Sequence, residues 1–118
     1  MDNTQMITQI EGFIKTEKFS EDLDALYPGL SNVELKRPLT NLINRAAEDF
    51  IDVLKNSPSD EKFHDKIKIG LDRIDSFSFS LDTEDSDKIC NYFEELMDLV
   101  GLDDSGGHLN KWRYGFGF

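Results

Sequence analysis

SNVELKRPLTNLINRAAEDFIDVLK (residues 31–55) carries one apolar stripe: Leu35, Leu39, Leu42, Ile43, Ala46, Phe50, Val53 and Leu54 recur at three- and four-residue intervals. That period puts them on one face of an α-helix and leaves the charged residues on the other. Ser31-Asn32-Val33-Glu34 fits a capping box, a serine hydroxyl for the third amide and a glutamate reaching back, with Leu30 and Leu35 placed as a hydrophobic staple. Pro38 conflicts with this start. Two turns into a helix it removes a backbone donor and crowds the preceding turn, so either the helix kinks there or its first turn is a separate piece.

Similar stripes lie on both sides. Upstream, Met6, Ile7, Ile10, Phe13 and Ile14 predict a helix over about residues 3–18. Leu23, Leu26 and Tyr27 then share one face of a short helical turn that Tyr27-Pro28-Gly29 breaks. Downstream, Ser57 caps a helix with Pro58 at its first position, and Phe63, Ile67, Leu71 and Ile74 extend its stripe to about residue 75, with Gly70 a weak point. Phe77-Ser78-Phe79-Ser80-Leu81 has period two but no partner strand, and reads as an extended connector. The last helix opens at Asp82 or Thr83, with Glu84, Asp85 and Asp87 at the positive end of its dipole. It buries Ile89, Phe93, Leu96, Met97 and Val100, turns Asp87, Asn91, Glu94 and Asp98 outward, and stops at Gly101-Leu102. The expected fold is an all-α, single-domain antiparallel bundle of about four helices over residues 1–118.

SGGHLNKWRYGFGF (residues 105–118) closes the chain with two bases, no acid, and aromatics at alternate positions. Alternate aromatics ending in phenylalanine are also found on the last strand of outer-membrane barrels, but no other segment here alternates as a lipid-facing strand does. Two bases beside a strongly acidic segment are too few for a nucleic-acid platform. The favoured reading is a strap over residues 104–118: Gly106 and Gly107 let the chain turn, and Leu109, Trp112 and some of the aromatics fold back onto the bundle. Lys111 and Arg113 then sit near the acidic last helix. Each buried aromatic contributes on the order of 2–3 kcal/mol. An exposed partner-binding tail is the alternative, since Gly115 and Gly117 loosen the end.

The chain of 118 residues suffices for one core without metals or disulfides, and its 38% hydrophobic content argues against global disorder. A lone cysteine, Cys90, excludes an intramolecular disulfide and suggests a reducing compartment. No apolar run approaches the roughly 20 residues that cross a bilayer, and the start has no basic region before an apolar one. The expected location is the cytoplasm. Asp and Glu number 24 against 13 Lys and Arg, for a formal charge of −11. Residues 82–104 hold nine of the acids and a single base, Lys88. Such a field repels nucleic acid and anionic lipid and steers cationic partners, although charge on this scale also serves solubility alone.

No constellation of catalytic type is present. His64 and His108 lack a ligand at metal-binding spacing, and Cys90 adjoins an apolar stripe as a small buried thiol does. An EF-type loop begun at Asp82 would need glycine at its sixth position and glutamate at its twelfth, where Asp87 and Phe93 stand. Glu94 and Glu95 are sequence neighbours on a helix and do not converge on one substrate atom. Gly106-Gly107 lacks the lysine and preceding strand of a phosphate loop. No cofactor, metal or catalytic residue is expected.

The C-terminal third has a recognisable pattern: Thr83-Glu84-Asp85; Cys90 with Tyr92, Phe93, Glu94, Glu95, Met97 and Asp98; Gly101-Leu102; then Gly107, Leu109, Asn110, Trp112, Tyr114, Gly115 and Phe116. It resembles a small bacterial domain family of unknown function with a TED, C-x-YFEE-x-MD, GL and G-x-LN-x-W-x-YGF signature. The resemblance implies an all-α fold in which the tail is integral, and it implies no activity.

Small, acidic, single-domain bacterial proteins without catalytic residues commonly serve as immunity proteins against toxins, often nucleases, and this chain is similar to that class in charge, size and lack of a site. The expectation is a non-enzymatic protein that binds a basic partner through Asp85, Asp87, Glu94, Glu95 and Asp98, with Asp103 and Asp104 as the nearest extension. The alternative is a self-associating helical scaffold that uses Phe77, Phe79 and the tail aromatics as surplus apolar surface. Genomic neighbourhood and oligomeric state separate the two.

Overall fold

A computed structural model describes residues 3–24 and 26–115. Five α-helices account for most of it: α1 (Asn3–Lys15), α2 (Lys36–Lys55), α3 (Asp60–Ile74), α4 (Thr83–Val100) and α5 (His108–Tyr114), with 3-10 turns at Val33–Leu35 and Asp75–Ser80. The all-α bundle expected from the periodicity is the fold. Helix α2 is its axis and packs against α1, α3 and α4. Ile10 and Phe13 of α1, the α2 stripe from Leu39 to Leu54, Phe63 to Ile74 of α3, and Ile89 to Met97 of α4 enter one continuous core.

The start of α2 resolves the Pro38 conflict. The chain forms a separate 3-10 turn at Val33–Leu35 and α2 begins at Lys36, so Pro38 falls in the first helical turn, where its missing donor costs nothing. Asn32, not Ser31, caps the 3-10 turn, accepting the Glu34 amide at 3.1 Å; the Ser31 hydroxyl is used elsewhere. The α3 start also shifts. Ser59 caps it by accepting the Lys62 amide at 3.3 Å, while Ser57 turns the chain at φ 56. The Lys62 ammonium donates to the carbonyls of Asn56 (2.9 Å) and Ser57 (2.7 Å), so the bend before α3 is closed by a residue inside the helix.

Three further expectations change. The 23–27 segment is a turn closed by reciprocal Asp22–Tyr27 hydrogen bonds, not a helical face: Tyr27 is buried while Leu23 and Leu26 are exposed. Residues 75–80 continue α3 as a 3-10 turn instead of an extended connector. At three residues per turn Phe77 and Phe79 face different directions, and Phe77 is half-buried while Phe79 is fully exposed. Helix α1 ends at Lys15, three residues early. Beyond it Lys18 is almost fully buried, its ammonium donating to the carbonyls of Phe13 (2.5 Å) and Thr16 (2.9 Å) and lying 4.2 Å from the Phe13 ring centroid. The Phe13 carbonyl also accepts the Thr16 amide at 3.2 Å, so Lys18 adds a second donor there and supplies one to the Thr16 carbonyl beyond the helix end.

Gly70 is a requirement of packing more than a weak point. A Cβ there would lie 3.0 Å from the Phe93 ring and 3.4 Å from Ala46, so its absence lets α3 approach α2 and α4. An ion pair between Arg73 and Asp49 at 2.8 Å, largely shielded from solvent, joins α3 to α2.

Candidate functional site

Helix α4 begins with a complete capping box: Asp82 accepts the Asp85 amide at 2.8 Å, and the Asp85 carboxylate accepts the Asp82 amide at 3.2 Å. It ends at Gly101 in the left-handed conformation (φ 70), followed by buried Leu102, whose amide reaches Met97. Between these ends, at roughly 100° per residue, Ile89, Tyr92, Phe93, Leu96 and Met97 point inward. Glu84, Asp87, Asn91, Glu94, Glu95 and Asp98 share the remaining face, and all six are exposed. Glu84 is the member that reading the sequence missed. It sits in the first turn, where capping alone accounts for an acid.

The acids expected to form the surface divide into two groups. Asp85 does not belong to it: its side chain is fully buried. One oxygen accepts the Ser31 hydroxyl at 2.7 Å and faces the Ser31 amide at 3.4 Å; the other faces the Tyr27 hydroxyl at 3.4 Å. Burial above all, and then the Asp85 charge, push the Tyr27 phenol well above its ordinary range. Asp85 therefore ties the loop before α2 to the α4 N-terminus, where internal donors take the place of water at its carboxylate.

Asp87 is partly engaged, accepting Arg113 Nε of α5 at 2.6 Å. That hydrogen bond is the main reason the guanidinium pKa is raised. Asp104 is drawn toward α3, not along α4: its backbone carbonyl lies 3.0 Å from His64 Nε2, and its carboxylate accepts the Gly106 amide at 2.9 Å. Glu94, Glu95, Asp98 and Asp103 are exposed and make no hydrogen bond or ion pair among the described residues. Glu95 contributes a favourable field at the buried Lys18 ammonium, whose pKa is nevertheless lowered, chiefly by burial.

Two grooves border this face. One of about 250 Å³ is lined by Leu26, Tyr27, Glu84, Asp87, Lys88 and Asn91. The other, about 380 Å³, lies against α5 and includes Asp87, Cys90, Glu94, Arg113 and Tyr114. Burial first, then the charges of Glu94 and Asp87, push the Cys90 thiol up to about 11, so it keeps its proton at neutral pH. A larger groove of about 540 Å³ lies between α3 and α5, away from the acidic face, beside Lys68, Asp72, His108, Lys111 and Trp112.

The tail folds back as expected but as a helix. In α5 Leu109 is buried, Trp112 is half-buried and Tyr114 is exposed. Arg113 reaches α4 as anticipated, whereas Lys111 lines the groove on the α3 side. Phe116 and Phe118 lie outside the described residues. His64 packs on Gly106, where a Cβ would come within 2.9 Å of its ring. Among the described residues no cluster of three His, Cys, Asp or Glu side chains is placed to hold a metal ion, and no helix is long and apolar enough to cross a membrane.

No curated protein matches this chain. A crystal structure of a DUF3571 family protein from Acinetobacter baumannii AYE is similar to it, with a TM-score of 0.85 and 35% identity over 96% of this chain and 91% of the other. A family model described as a domain of unknown function (DUF4844) matches residues 1–117, and the chain belongs to that family.

Proposed function

We propose that this protein acts by binding a basic protein partner through the outer face of α4, and that it serves as an immunity protein neutralising a cationic toxin. The observation that carries the reading is the set of exposed carboxylates left unpaired on one helix face: Glu84, Glu94, Glu95 and Asp98, with Asp103 beyond the helix end. A row of free acids on a rigid helix steers a cationic surface into contact and pairs with its Lys and Arg side chains once there. Inhibition follows from occlusion of the surface the toxin uses. No chemistry of this chain's own is needed.

The test is co-expression with the product of the gene immediately upstream, followed by titration calorimetry at low and high salt. The expected result is a basic partner bound tightly, weakened by salt and by Glu94→Lys, Glu95→Lys and Asp98→Lys, with growth inhibition by that partner relieved. A self-associating scaffold is the second reading, favoured by the full exposure of Phe79. A stable dimer of this chain alone, dispersed by Phe79→Ser and indifferent to the acidic variants, would establish it instead.

A further inference from the structure

The turn after α1 exposes two large aliphatic side chains, Leu23 at 75% and Leu26 at 86%. It is a held turn: Asp22 and Tyr27 exchange two backbone hydrogen bonds of 2.8 Å, and the Leu26 amide reaches Leu23 at 3.2 Å. Tyr27 at its base is buried against Asp85. Leu26 itself stands at φ 56, a left-handed conformation that disfavours a branched side chain and in which glycine or asparagine is usual. The closed turn sets that conformation and directs the side chain outward, which leaves an aliphatic group in water. The residue borders the 250 Å³ groove that Glu84, Asp87 and Asn91 of α4 also line.

We propose that Leu26, with Leu23 beside it, is the apolar anchor of the acidic face, and that the occupant is a partner-protein segment bearing an apolar side chain flanked by Lys or Arg. This rests on the acidic-face reading and names the chemistry of what that face receives. Charge complementarity selects the occupant. Glu84 has no ion-pair partner among the described residues. The cation in the groove, Lys88, leans over the Tyr27 and Tyr92 rings, 5.4 and 5.2 Å from their centroids. A second copy of this chain would bring −11 against −11, and an anionic lipid surface would be repelled in the same way. An exposed aliphatic side chain on a hydrogen-bonded turn beside charged residues has the anatomy of an interface core with a polar rim.

The probes are two synthetic peptides of equal positive charge, one alternating Lys with Leu and one alternating Lys with Ser, titrated by fluorescence anisotropy. On the wild type the Leu peptide binds about tenfold more tightly than the Ser peptide, the scale of burying one aliphatic side chain. Leu26→Ser removes that difference and Leu26→Met keeps it; both replace an exposed side chain, so the fold is not at stake. Glu94→Lys with Asp98→Lys weakens both peptides. If charge reversal weakens both but Leu26→Ser changes nothing, the acidic face stands and the anchor is overturned. If charge reversal changes neither, the acidic face is overturned, and the anchor with it. A dimer in sedimentation that Leu26→Ser disperses assigns the turn to a second copy and likewise overturns the proposal.

Discussion

Two segments flank the outer face of α4, and different forces hold them there. The loop before α2 is pinned by buried groups: Phe19 and Leu30 in the core, the Phe19 amide donating to the Tyr92 hydroxyl at 2.7 Å, and the Asp85 carboxylate shared by Ser31 and Tyr27. On the other side α5 rests on buried Leu109, a half-buried Trp112 and the Arg113–Asp87 pair, in which Asp87 is about half exposed. A buried polar network breaks at the full cost of its orphaned groups, whereas an exposed ion pair contributes little. The loop is therefore the more firmly fixed border of the face, and α5 the looser one.

The comparison predicts a ranked series. Asp85→Ala should cost most, about 3 kcal/mol by denaturant unfolding, because the Ser31 hydroxyl and the Tyr27 phenol lose their acceptor and the α4 capping box is broken. A loss under about 1 kcal/mol would place both borders on the same footing. Leu109→Ala should cost about 2 kcal/mol, the low end for a leucine emptied next to a groove into which the site can relax. Gly106→Ala combines a left-handed φ of 69 with a contact on the His64 ring and should cost about 1–2 kcal/mol. Arg113→Ala is the smallest, under about 1 kcal/mol and diminishing with salt.

Cys90 reports on the looser border without a stability measurement, since it lines the groove against α5. With its thiol pushed up to about 11, well above the unfolded value of about 8.5, the folded state holds its proton where the unfolded state has lost it. Its contribution is present below the unfolded pKa and is lost as pH rises from there toward 11. Labelling by a thiol reagent at pH 8 should be slow in the wild type and faster in Leu109→Ala, with Asp85→Asn leaving it nearly unchanged. Equal acceleration by both would show that the two borders open together.

The sequence alone determined the helical stripes, the α4 cap and stop, the burial of Cys90, and a tail that folds back, because each follows from residues a few positions apart. The outward set of Asp87, Asn91, Glu94 and Asp98 was legible for the same reason: a helix converts spacing into direction. Other features needed the assembled structure. Ser31 read as a cap until a carboxylate 54 residues away took its hydroxyl, and Asp85 read as a solvated acid until the loop closed over it. Gly70 read as a helix defect until Phe93 occupied the space above it. Leu26 read as part of an apolar face until the Asp22–Tyr27 pairing turned it outward. Periodicity states which face of an element is apolar; which side chain on that face meets a distant loop, and which polar group finds a buried partner there, is decided only when the elements pack.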